Sequence, residues 1–351
     1  MKVKALAVAL ATVAAFVTAS ASARDLTAVS FGGALQDALR KAFFAPYAQQ
    51  TGKPVAEDTY DGSLSKISAQ VKANAVLWDV VDVESNDVLQ GCQEGYFERL
   101  DWSKIGNRSD LIGQAKNSSP CGAAFLAGAN ILAYDGAKLA DGPKTWADFW
   151  DVKKFPGKRG MRFNPKNTLE VALMADGVPA AKVYEVLATP AGVDRAFKKL
   201  DELKPNIAWW KVGAESIQLL ASGEVSMVSA YSGRVIAANR GENRQFRMAW
   251  DAGSIYFFDL WAIPKGAPNK DQAMQFIAFA VAPARQAELP KYIGYGPTSM
   301  TAYKSLDPKL AADVPDPKRL EQGSAVVRDD EFWANYGDDL TRRFNVWAAQ
   351  K

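Results

Sequence analysis

The sequence predicts an α/β protein folded as two lobes with a cleft between them. Short apolar runs of strand character alternate with amphipathic helical stretches throughout, a pattern that calls for sheets covered by helices on both faces. At 351 residues the chain exceeds what one hydrophobic core usually organises, so two units are expected. No internal repeat, low-complexity tract or long linker interrupts the alternation.

Residues 26–30 read as a strand, Phe31-Gly32-Gly33 as a tight turn, and residues 34–44 as a helix whose apolar face carries Leu35, Ala38, Leu39, Ala42 and Phe43. A second strand is predicted over 53–59, with Asp61-Gly62-Ser63 as a turn able to cap a helix over 64–73. Residues 78–84 form a buried strand ending in Val80-Val81-Asp82-Val83-Glu84. That ending puts charge at a carboxyl edge, where open α/β sheets keep their ligand crevices. A strand near 131–134, a turn at Phe155-Pro156-Gly157 and a strand over 161–163 come next, then helices from Leu169, from about Ala180 and over 194–203. A short helix over 215–221 ends at Gly223, which suits the left-handed position after a helix. Residues 225–230 are the next strand, leaving through Tyr231-Ser232-Gly233-Arg234, and residues 254–263 are an apolar strand broken by one acid, Asp259. Asn269 with Gln272 predicts a capping box for a helix carrying Ala273, Phe276, Ile277 and Ala280.

The amino terminus adds a cellular address. Lys2 and Lys4 precede an uncharged run over 5–19 and then Ala21-Ser22-Ala23, the pattern of a signal peptide over 1–23 cleaved after Ala23. The run is too short to span a bilayer, and no cysteine stands at the cleavage site to carry a lipid. An exported protein of a bacterial periplasm is expected. The formal charge of +3 falls to +1 once the two leader lysines are gone, and the remaining Lys and Arg are scattered, so neither nucleic acid nor an acidic membrane is an expected partner. Export also places Cys92 and Cys121 in an oxidising compartment, where a disulfide between them is predicted.

The residue inventory argues against an enzyme. Without any histidine the chain lacks the commonest general base, the usual partner of a nucleophilic serine or cysteine, and the commonest metal ligand. Two cysteines make no zinc site alone, and Gly32-Gly33 is not accompanied by a phosphate-binding glycine motif. No cofactor and no metal are expected.

A set of ordered landmarks then resembles one family. These are Thr51-Gly52-Lys53-Pro54-Val55, Trp78-Asp79-Val80-Val81, Trp146-Ala147-Asp148-Phe149-Trp150 before Phe155-Pro156-Gly157-Lys158, Gly223-Glu224-Val225, Tyr231-Ser232-Gly233-Arg234, Asp259 before Ala262-Ile263-Pro264, and Ile293-Gly294-Tyr295-Gly296-Pro297-Thr298. Together they resemble the periplasmic binding proteins of ABC importers for polyamines and related amines, over nearly the whole mature chain. The resemblance implies the type II two-lobed fold, with lobes joined by crossing strands and closing by a hinge. It implies lobe 1 over 24–132 and 262–300, lobe 2 over 133–261, and a C-terminal helical segment over 301–351 packed across both. A monomer that hands its solute to an inner-membrane ABC permease is expected.

By the same likeness the cleft is faced by Phe31, Glu84, Ser85, Glu170, Tyr231, Phe257, Asp259 and Tyr295, with aromatic rings boxing a methylene chain and carboxylates holding ammonium groups. An acid inside the apolar run around Asp259 needs a partner: an ammonium ligand, or an arginine of the same protein. Glu84 either faces the cleft or caps the helix that follows it. Two positions depart from the polyamine pattern: Asn167 stands where an acid precedes Glu170, and Phe257 where a tryptophan adjoins the binding aspartate. Arg234 departs further. It would repel a diamine and grip a carboxylate, unless it is solvated or salt-bridged between lobes. One acid and one arginine suit an ω-amino acid such as 4-aminobutyrate (GABA), with putrescine or spermidine as the alternative, and resemble a branch of the family that takes up such amino acids. A ferric-ion or anion receptor with Tyr231 and Tyr295 as phenolate ligands is a separate alternative on the same fold.

Overall fold

The computed structural model describes residues 24–117 and 119–350; the predicted signal peptide lies outside them. Eleven strands form one curled sheet: β1 Leu26–Ser30, β2 Val55–Thr59, β3 Val80–Glu84, β4 Gly122–Asp135, β5 Lys158–Arg162, β6 Ile207–Trp210, β7 Val225–Tyr231, β8 Phe246–Ala249, β9 Ser254–Ala262, β10 Gly296–Pro297 and β11 Ala325–Val327. The path across it is β2-β1-β3-β9-β4-β7-β5-β6, with β8 and β10 on β4 and β11 on β9. β1, β2 and β3 are parallel to one another, as are β5, β6 and β7, so each half is a wound α/β sheet. The antiparallel pair β4/β9 joins the halves.

Those two strands change partners midway. β9 pairs with β11 over Ser254, Ile255 and Tyr256 and with β3 from Asp259 onward, while β4 pairs with β10 at Leu126 and Ala127 and with β7 from Asn130. The carboxyl ends of β1 and β3 thereby face those of β5, β6 and β7. The strand expected over 131–134 is therefore a longer element. Its first half is rich in glycine and alanine and shows no alternation, but the packing demands that smallness: a Cβ at Gly128 would strike the Phe257 ring.

Apolar cores lie on both faces of the sheet. One gathers Phe43, Phe44, Phe125, Trp261 and Phe276, with Phe125 stacked on Trp261 at 4.3 Å. Another, around Trp146, Phe149, Leu173 and Phe197, fills the second half. A third, with Val81, Phe258 and Leu260, lies under the helix Ser85–Gln93. The capping box predicted at Asn269 is not formed. The buried carboxylate of Asp79 takes the Asn269 amide at 3.1 Å, and the same amide donates to Arg24 O at 3.0 Å, tying the helix Lys270–Ala280 to the start of β1.

The predicted disulfide is present: Cys92 and Cys121 are bonded, with their Cα atoms 5.7 Å apart, linking the helix Ser85–Gln93 to the entry of β4. The bonded positions are 29 apart in sequence number, and closing that loop in the unfolded chain is worth about 3–4 kcal/mol in the chain-entropy account. Cys92→Ser should lower unfolding free energy by about that much in urea denaturation, and dithiothreitol should bring the wild type down to the same level.

The chain ends in the helix Asp330–Ala349, capped by the Asp329 carboxylate on Phe332 N at 2.9 Å. Asp330 accepts from Ser85 Oγ at 2.7 Å on one side, and Trp333 Nε1 donates to Glu170 at 2.8 Å on the other. This helix so spans both halves of the sheet.

Candidate functional site

A narrow cavity lies where the strand ends of the two halves meet. It opens outward into a wider cleft that shares Asp61, Glu84, Arg162 and Lys211 with it. The inner cavity is small, about 40 Å³.

Its acidic side comes from β3 and β9. Glu84 and Asp259 are directly paired across the antiparallel ladder, so both side chains leave the same face at adjacent positions. Two like charges there repel, and the surroundings separate their fates. Burial opposes the charge on Glu84, but Arg328 at 3.0 Å, Lys166 at 2.9 Å and Arg162 at 3.6 Å outweigh it and hold the carboxyl well below the usual range. Glu84 does not cap the helix behind it. Asp259 makes no salt bridge among the described residues and its Oδ1 has no hydrogen-bond partner. Burial first, then the charge of Glu84, pushes it up to about 8. Behind both, Asp82 is fully buried with both oxygens unpartnered among the described residues, and burial followed by Asp259 and Glu84 raises it far above the carboxylate range.

The opposite side is basic. Arg234, in the first turn of the helix Ser232–Gly241, is buried at 6% exposure, makes no ion pair among the described residues, and leaves Nε without a partner. Its single hydrogen bond runs from Nη2 to Gly32 O at 3.5 Å. The guanidinium threads between two glycines: a Cβ at Gly33 would come within 3.1 Å of Nη1, and one at Gly213 would overlap Nε. Elsewhere the protein buries an arginine differently. Arg159 is also fully buried, and its guanidinium donates to Phe149, Gly157, Phe155 and Asp151 carbonyls and to Ser226 Oγ. Arg159 is saturated; Arg234 is not.

Aromatic rings close the sides. Phe31 stacks on Tyr60 at 5.2 Å, Tyr231 meets Trp210 and Phe257 edge-on at 5.7 and 5.3 Å, and Tyr295 stands 6.3 Å from Phe257. The Tyr231 hydroxyl has no partner among the described residues, and burial pushes it up to about 12 while Tyr295 is raised as well.

With this geometry in hand, comparison with known proteins is decisive: residues 42–316 match the family described as bacterial extracellular solute-binding protein. The chain belongs to that family. A relative called gamma-aminobutyric acid-binding protein, from Pseudomonas aeruginosa, is 46% identical over 333 residues, covering 95% of this chain and 93% of its own. The Escherichia coli spermidine/putrescine-binding periplasmic protein is 24% identical over 288 residues, 79% of this chain and 80% of its own. Among solved structures, a GABA receptor superposes with TM-score 0.81 at 36% identity over 93% of this chain and 98% of that one. The binding protein MotA of A. tumefaciens B6, in complex with glucopine, gives 0.85 at 32% identity over 93% and 100%. The fold is thus the two-lobed type II binding-protein fold, and the protein is a solute-binding protein, not an enzyme.

In this solute-binding protein the cavity is lined by seven of the residues expected in the cleft: Phe31, Glu84, Tyr231, Arg234, Phe257, Asp259 and Tyr295. Ser85 and Glu170 are elsewhere. The Ser85 hydroxyl is spent on Asp330, and Glu170 accepts from Trp333 and from Tyr184 at 2.8 Å, so both anchor the C-terminal helix. Asn167 is also buried off the cavity, with φ +70° and no partner for its amide. Sequence reasoning missed Tyr60, Arg162 and Trp210. Arg162 and Trp210 end β5 and β6, so the rule that pointed to Glu84, polar or large side chains at carboxyl strand ends, would have found them.

Proposed function

We propose that this chain is the periplasmic receptor of an ABC importer for a short ω-amino acid of the GABA type. One observation carries the reading: of the acids and arginines that line the cavity, Asp259 and Arg234 are each buried and neither makes an ion pair among the described residues. A buried uncompensated cation is costly and a buried carboxyl ionises only beside a cation, so a zwitterion with ammonium at one end and carboxylate at the other satisfies both at once. The ring cage suits the methylenes between them. The name of the 46% identical relative supports the same ligand. The two lobes would close about the partner-changing segments of β4 and β9, and export by the predicted signal peptide would bring the receptor to its permease.

Calorimetric titration of the mature protein with GABA, putrescine and spermidine tests this. Stoichiometric binding of GABA, with the polyamines far weaker, is expected; binding of putrescine alone, undiminished by Arg234→Ala, would sink the reading.

A pH dependence follows from Asp259. Its carboxyl, pushed up to about 8, keeps its proton at neutral pH until an ammonium displaces it. GABA affinity should therefore rise about 50-fold from pH 6 to pH 8 and then level off, with about one proton released per ligand at pH 7. Titration in buffers of differing ionisation enthalpy reads that proton directly.

A further inference from the structure

We infer that Arg328, a residue outside the cavity wall, determines ligand choice by masking one of the two paired acids. The inference rests on the zwitterion reading above and adds the reason why a site with two adjacent carboxylates presents only one of them.

Arg328 directly follows β11, and its backbone N–H donates to Tyr256 O at 2.8 Å, which fixes it beside β9. Its side chain is completely buried and lies over the Phe257 ring, 5.3 Å from the centroid. Nη1 stands 3.0 Å from Glu84 Oε2, yet Nε, Nη1 and Nη2 all lack a hydrogen bond of good geometry. A structural arginine in this protein looks like Arg159, with carbonyls around every nitrogen. Arg328 instead keeps its full charge in a dry place, so what it supplies is mainly field, and the nearest recipient is Glu84.

The consequence lies in the register. Glu84 and Asp259 face each other across the ladder, the spacing at which two carboxylates could serve two ammonium groups or one ammonium jointly. Arg328 and Lys166 from outside the cavity, with Arg162 from its wall, neutralise Glu84, leaving Asp259 as the one acid open to a ligand cation. With Arg234 opposite, the cavity then offers one negative and one positive charge. Without Arg328 the balance moves one unit toward the acids, and a diamine becomes the better match.

The test is the ratio of putrescine to GABA affinity in the full mature protein, measured by calorimetry. Arg328→Gln should shift that ratio at least about 30-fold toward putrescine, since the ammonium at Asp259 is common to both ligands while a cation near the cavity repels the second ammonium of putrescine and attracts the carboxylate of GABA. Arg328→Lys keeps the charge and should keep the wild-type ratio. Adding Glu84→Gln to Arg328→Gln should abolish the shift, because the acid being unmasked is gone. An unchanged ratio in a folded Arg328→Gln protein, or a shift that survives in the double variant, overturns the inference. Should Arg328→Gln not fold, Arg328→Met, which refills the space over Phe257, takes its place. If neither folds, the role of Arg328 is structural and the inference fails. A wild type that does not bind GABA overturns the zwitterion reading itself, whereas a wild type that binds GABA with an unmoved ratio in the variants removes only the role of Arg328.

Discussion

Asp259→Asn is expected to weaken GABA binding by at least about 100-fold while leaving the ligand-free protein folded. The substitution is nearly isosteric, so the cage of Phe257, Tyr231 and Tyr295 stays in place and only the charge is lost. Leaving an ammonium in a buried site without its carboxylate costs about 3–5 kcal/mol, a factor of hundreds to thousands in affinity. Ligand-free stability should move the other way. Asp259 titrates far above an unfolded aspartate, whose pKa is close to 3.8, so between that value and about 8 the folded state holds a proton that the unfolded state has released. Wild-type stability from this group therefore falls as pH rises through that window and stays low above 8. Asparagine has no such loss, so the variant should melt above the wild type at pH 9 and close to it at pH 4. A variant that loses both binding and stability would mean that Asp259 is structural.

The same residue shows what the sequence made legible. Asp259 and Glu84 could be singled out because each interrupts or ends an apolar strand, and a charge in such a run needs a reason. Alternation of strands and helices also announced the two α/β halves. What stayed hidden depended on distance along the chain. Nothing local marks Glu170 as belonging to Trp333, 163 residues further on, or Ser85 as belonging to Asp330. Arginines posed the sharper difficulty, because β5 contains both Arg159, which is saturated by carbonyls, and Arg162, which lines the cavity. The two lie three residues apart in one strand, and only their surroundings tell them apart. The join between the lobes was obscure for a different reason. Gly128 must be small to admit the Phe257 ring, and small residues erase the period by which strands are recognised.

Arg234→Met should cost GABA binding as much as the loss of Asp259, about 100-fold or more, and for the complementary reason. Two arginines line the cavity, but they are not equivalent. Arg162 stands 3.6 Å from Glu84 and shares in neutralising it, whereas Arg234 has no acidic partner among the described residues and one weak hydrogen bond, so its charge is the one left for a ligand carboxylate. Removing it deletes a charge-assisted, two-pronged contact that lysine could not reproduce in the slot between Gly33 and Gly213. Butylamine separates this effect from general damage. It carries the ammonium and the methylenes of GABA without the carboxylate, so it should bind the wild type far more weakly than GABA and bind the variant about equally well. Because methionine also replaces a buried, unpaired cation with an apolar chain of similar length, the ligand-free variant should be as stable as the wild type or more so. If GABA still outcompetes butylamine in a folded Arg234→Met protein, the carboxylate is held by Arg162 or the Tyr231 hydroxyl, and the polarity proposed for the bound zwitterion is wrong.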